Sequence, residues 1–135
     1  MPLRITPVWI TNLEPKEVIV FGSNLIGRHN GSAAQIALKF GAESGKGYGL
    51  SGQSFAIPTK DEKLKTLRLV DIDVYVEGFL ITARARRDLT FLVTEIGCGF
   101  SNYDPWDIAP MFEPAVTMKN VYLPNKFLKV LLSKK

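Results

Sequence analysis

Two stretches of the chain have the same grammar: a short apolar, β-branched run, a glycine-rich segment, and then a stretch with helical spacing. Val18-Ile19-Val20-Phe21 runs into GSNLIGRHNG at residues 22–31, and Ala33, Ile36, Ala37 and Phe40 follow as one apolar stripe. Phe91-Leu92-Val93-Thr94-Glu95-Ile96 runs into GCGFSNYD at residues 97–104, with Asp104 suited to cap a helix and Pro105 to begin it. Strands that alternate with helices must hide apolar residues on both sides of a sheet, which predicts a mainly parallel sheet with helices on both faces. At 135 residues the chain suits one domain, residues 1–135, of three-layer α/β/α form with a mixed edge.

Other elements fall into place around these two units. Ser32 with Gln35 fits a capping box, and Gly41 fits the end of the first helix. Five glycines in residues 41–53 predict no regular structure there. Ser54 to Ile57 reads as a strand stopped by Pro58, and residues 59–70 fit a loop, an extended segment or one helical turn. Asp71 is placed to cap a helix in which Ile72, Val76, Phe79, Leu80 and Ala83 share a face and Gly78 is a weak point. A short helix is expected over residues 106–112, a last strand over residues 120–123 closed by Pro124, and a terminal helix over residues 125–133. Val8 to Thr11 is a candidate edge strand.

Composition narrows the function classes. Hydrophobic residues make up 46% and charged residues 22%, ordinary for a globular protein, and no apolar run approaches a bilayer crossing. No signal-peptide pattern opens the chain, and a single Cys98 has no internal disulfide partner, so a cytoplasmic, reducing location is expected. Seventeen Lys and Arg against thirteen Asp and Glu give +4 and a pI near 9.3. The bases cluster at residues 60–68, 84–87 and 126–135, with Asp61, Glu62 and Asp88 close to two of the three groups. That pattern reads as solvated surface. A nucleic-acid-binding or virion-associated role is therefore kept but not favoured, since no basic strip interleaved with aromatics is visible.

Ligands of open α/β sheets bind beyond the carboxyl ends of the strands, where both glycine loops are expected. Glycine lets a backbone approach a ligand, and amides at a following helix start hold phosphate oxygens, so the two loops together suit a diphosphate. The candidate ligand-binding residues are Gly22, Ser23, Asn24, Gly27, Arg28 and Gly31 from the first loop, Gln53, and Gly97, Cys98, Gly99, Phe100, Ser101, Asn102 and Tyr103 from the second. Asn24, Gln53 and Asn102 have amides for ribose hydroxyls, and Phe100 and Tyr103 have rings for a sugar or base. Tight turns and core packing explain each of these residues singly.

Other chemistry has less support. Lys46 and Lys60 lack a phosphate-loop context, and Gly45, Gly47 and Gly49 have the wrong spacing for a dinucleotide fingerprint. His29 and Cys98 cannot alone supply a metal set, so neither metal nor cofactor is expected. Cys98 as a nucleophile needs a stabilised thiolate, and His29 as a base needs an orienting carboxylate.

The order of elements, with VIVFGSN, FAIPTKD at residues 55–61, FLVTEIGCGFSNYD at residues 91–104 and NVYLP, resembles that of macro domains. FGSNL, GL-GQS, IPTKD and IGCG are also similar to motifs of compact bacterial and phage proteins, across nearly the whole chain, a likeness that bears on fold more than on activity. The macro-domain resemblance implies a macro-domain-like α/β/α fold and a nucleotide-derived ligand such as ADP-ribose, bound by a reader or sequestering module. Asn24 would hold the distal ribose and residues 97–103 the diphosphate. The alternative it implies is an ADP-ribosyl hydrolase, with Asn24 and His29 as its catalytic residues. The chain departs from the family pattern in two places: the adenine-recognising Asp that the family has ahead of the Asn loop is missing, no Asp preceding residue 61 and Glu14 or Glu17 being the substitutes, and Arg28 and His29 interrupt the first glycine loop.

Overall fold

A computed structural model of the chain describes residues 4–29, 31–99 and 101–133. Its centre is a five-stranded mixed sheet: β1 (Glu17–Asn24), β2 (Gly49–Ser51), β3 (Ser54–Lys60), β4 (Thr90–Val93) and β5 (Val121–Tyr122), in the order β2-β3-β1-β4-β5. β1, β3, β4 and β5 are parallel, and β2 is antiparallel to β3 at one edge. The helices are α1 (Ser32–Lys39), α2 (Leu69–Ala85), α3 (Pro105–Ile108) and α4 (Asn125–Leu131), with a 3-10 helix over Ala109–Thr117.

Alternation along β1 divides the core. Ile19 and Phe21 pack with Ala34 and Ala37 of α1 and with Ile10 and Leu13 on one face. Val18 and Val20 pack on the other face with Ile72, Val76, Phe79, Leu80 and Ala83, the stripe of α2 expected from its spacing, and with the 3-10 helix and α4. The Phe79 ring lies edge-on to Phe55 and Phe91, with centroids 5.3 and 5.4 Å away. Helices on both faces of a mostly parallel sheet make this an α/β protein.

Several local expectations are corrected. Gly22, Ser23 and Asn24 are not loop: β1 continues through them, with Gly22 opposite Ile57 and Ser23 opposite Pro58. Pairing with β3, which continues to Asn24 opposite Lys60 after pairing with β4 has ended at Val20, outweighs the turn preference of those residue types. β3 likewise runs through Pro58, because β2 pairs only as far as Ala56 and the bridge from Lys60 to Thr66 comes after it, so β3 has one neighbouring strand at Pro58. The glycine-rich stretch contains β2, paired as Gly49–Ala56 and Ser51–Ser54. β4 ends at Val93, and residues 94–96 leave the sheet. Val8 and Trp9 form a bend, and a bridge between Ile5 and Leu123 extends the sheet instead.

The helix caps also differ. Gly31, not Ser32, is the N-cap of α1, and the Gln35 amide donates to the His29 carbonyl rather than closing a capping box. Arg68 rather than Asp71 caps α2, and the two pair at 3.1 Å. At α3 the expected cap holds: Asp104 and Asp107 form a reciprocal capping box with Pro105 in the first turn. Pro110 and Pro114 then favour 3-10 geometry over the longer α-helix expected there.

Candidate functional site

The chain leaves β1 toward α1 on one face and leaves the adjacent β4 toward α3 on the other. The carboxyl ends of β1 and β4 therefore form a point where successive connections diverge, the place where open α/β sheets make their binding crevice. Both glycine-rich segments lie there. A Cβ placed on Gly22 would stand 3.7 Å from the Gly97 nitrogen and 3.8 Å from the Ile96 Cα.

The rim is fastened by hydroxyls. The Thr59 and Ser101 oxygens are 2.7 Å apart and buried, and Thr59 also donates to the Ser23 carbonyl at 3.3 Å. These contacts tie β3, β1 and the loop after β4 together. Thr59 was not singled out from the sequence, although it lies within the IPTKD motif. Asp61 of the same motif is a turn former: its Oδ1 accepts from Lys63 N at 2.8 Å and Lys65 N at 2.9 Å. Those backbone donors hold its carboxyl below the usual range.

The first segment is closed on itself. Asn24 Oδ1 accepts from Arg28 N at 2.9 Å, and its Nδ2 donates to the Arg28 carbonyl at 2.7 Å. Gly27, at φ +79°, lies so near the Gly45–Lys46 backbone that no Cβ fits, and the Gly27 carbonyl accepts from Gly45 N at 3.0 Å. The glycine there serves a crossing of two backbones. Arg28 is exposed at the rim, and Gly31 opens α1.

His29 is buried, its ring edge-on to Phe21 with centroids 5.2 Å apart. Its Nε2 lies 2.8 Å from the Glu43 carbonyl. A carbonyl only accepts, so Nε2 carries the proton and Nδ1 keeps the lone pair. Nδ1 is itself buried and has no hydrogen-bond partner among the described residues. A general base needs that lone pair within reach of a substrate or water.

In the second segment, Asn102 is left-handed at φ +63° and its N–H donates to the Gly99 carbonyl. Tyr103 N donates to the Gly97 carbonyl at 2.8 Å, while its hydroxyl donates to the Leu67 carbonyl at 2.7 Å, so its polar end braces the approach to α2. Gly99 is exposed, with open space where a Cβ would stand. Burial, and then Glu95 and Asp104, push the Cys98 thiol up to about 11, away from thiolate chemistry. Phe100 lies outside the described residues.

Three residues lie away from this end of the sheet. Gln53 sits in the β2–β3 turn and donates to the Glu14 and Glu17 carbonyls at 2.8 and 3.0 Å, at the amino end of β1. Glu14 and Glu17 are at that same end, the Glu17 carboxylate accepting from Glu14 N. Parallel strands put the turn before β3 opposite the loop after β1. No group of three His, Cys, Asp or Glu side chains suited to a metal occurs among the described residues. No helix among them is long and apolar enough to cross a membrane. No family model, curated protein or solved structure matches the chain.

Proposed function

We propose that the chain is a macro-domain-like three-layer α/β/α binding module that takes a nucleotide-derived ligand such as ADP-ribose in the crevice between the ends of β1 and β4. The observation that carries this reading is that β1 at Gly22 lies so near Ile96 and Gly97 that an added Cβ would touch their backbone, at the point where the two connections diverge. The Ile96 side chain borders this approach, and the Gly97 and Gly99 amides, which among the described residues are not used in the turn bonds of the loop after β4, are the ones assigned to a diphosphate. Arg28, exposed at the rim, adds a positive charge for the same group.

Binding without chemistry fits better than hydrolysis. His29 turns its proton to Glu43 and its lone pair into the interior. Cys98 stays protonated, and Asn24 holds its own loop. Calorimetry with ADP-ribose, its cyclic isomers and ordinary nucleotides tests the proposal: saturable heat with a diphosphate-bearing member supports it, and no heat from any of them ends it. Release of free ADP-ribose from a modified protein would favour the hydrolase.

A further inference from the structure

A basic concavity lies at the other end of the sheet from the β1–β4 switch point. The end of α2, the start of β4 and the segment leading into β5 enclose an open cleft of about 520 Å³. Arg84, Arg87 and Lys119 line it, with the Thr90 and Thr117 hydroxyls and Asn120 among them and no acidic residue. Arg87 and Lys119 are far apart in sequence, and the crossover from α2 into β4 beside β5 brings them together.

Two observations make this more than a solvated basic surface. Among the described residues, no ion pair engages Arg84, Arg87 or Lys119, while the nearest acid in sequence, Asp88, is held by Arg86 at 2.9 Å and lies 3.9 Å from Lys16. Two of the carbonyls at the end of α2, which would repel an anion, are also covered: Asn120 Nδ2 donates to Ala83 O at 2.9 Å and Arg86 O at 3.2 Å. The cations therefore act on the cleft without a carboxylate beside them in its lining.

We infer that this cleft binds the phosphodiester backbone of single-stranded nucleic acid. Three cations beside the Thr90 hydroxyl match phosphate oxygens, while the Asn120 amide is spent on the end of α2, and the absence of an aromatic from the lining points to backbone contact rather than base stacking. A cleft of about 520 Å³ admits the backbone of a single strand, whereas a duplex is too wide to enter it. Recognition is therefore sequence-tolerant and salt-dependent. This site is separate from the β1–β4 crevice and does not rest on the ligand proposed there.

The test is fluorescence anisotropy of the full chain with a labelled single-stranded oligonucleotide across a salt series. With about three phosphates neutralised, log affinity falls with a slope near −2 against log salt, roughly fifteenfold between about 50 and about 200 mM. A triple Arg84→Gln, Arg87→Gln, Lys119→Gln variant is expected to fold, since all three side chains are exposed, and to lose most of that slope. A control triple at Lys63, Lys65 and Lys129, also exposed and changed to Gln, makes the same change in net charge and keeps it. Equal loss in both triples overturns the inference, because net charge alone would then account for binding. Binding of tripolyphosphate but not of the oligonucleotide also overturns it.

Discussion

Asn24 makes its side-chain hydrogen bonds to a single residue: its Oδ1 accepts the Arg28 N–H at 2.9 Å and its Nδ2 donates to the Arg28 carbonyl at 2.7 Å. An amide is the side chain that can do both, so Asn24→Asp removes the donor and sets a carboxylate against a carbonyl. Each such bond contributes about 1 kcal/mol. Asn24→Ala and Asn24→Asp are expected to destabilise the protein by about 1–2 kcal/mol in urea unfolding without ligand. A residue that served only to grip a ligand would leave unliganded stability unchanged.

Gly27 and Gly99 form a contrasting pair. Gly27→Ala forces a side chain into a left-handed backbone and against the Gly45–Lys46 chain, an expected loss of at least about 2 kcal/mol. Gly99→Ala meets open space and is expected to remain within about 0.5 kcal/mol of the parent. Paired urea midpoints check both.

Gly78 lies within α2, where alanine is ordinarily better by about 1 kcal/mol. Here a Cβ would overlap the Tyr48 hydroxyl, whose ring packs edge-on against Phe55 at 5.7 Å. Gly78→Ala is therefore expected to destabilise, and the penalty to shrink by about 1 kcal/mol or more in a Tyr48→Phe background. A double-mutant cycle reads the coupling directly, and additive effects would show that the hydroxyl is not the obstacle.

For Cys98, the folded thiol titrates at about 11, above its unfolded value near 8.5. A raised folded pKa means that its contribution to stability is fully present below the unfolded value and is lost as pH rises through about 11. At pH 8.5, alkylation of native Cys98 by iodoacetamide is expected to be slower than in the urea-unfolded chain by on the order of a hundredfold. Comparable rates would show a solvated thiol.

The apolar runs of β1, β3 and β4 and the buried stripe of α2 were legible because burial imposes periods of two and 3.6 on residue type. The extents of β1 and β3 were not. Gly22 to Asn24 and Pro58 carry turn preferences that lose to the neighbours across the sheet, and those neighbours come from distant segments. Strand direction is equally silent in residue identity. Gln53 was therefore grouped with Asn24, although the parallel pairing of β1 and β3 puts it at the other end. The Thr59–Ser101 hydroxyl contact and the Arg84–Arg87–Lys119 cleft depend on crossovers, and neither leaves a local pattern to read.

The most direct test of the crevice is ADP-ribose calorimetry on Gly22→Ala. The added methyl stands in ordinary contact, 3.7 Å from the Gly97 nitrogen, so stability is expected to hold or rise slightly while the methyl covers the amide assigned to the diphosphate. We predict saturable binding to the parent and at least tenfold weaker binding to the variant. Equal affinity in a folded variant, or no binding to the parent, would contradict the β1–β4 crevice as the ligand site.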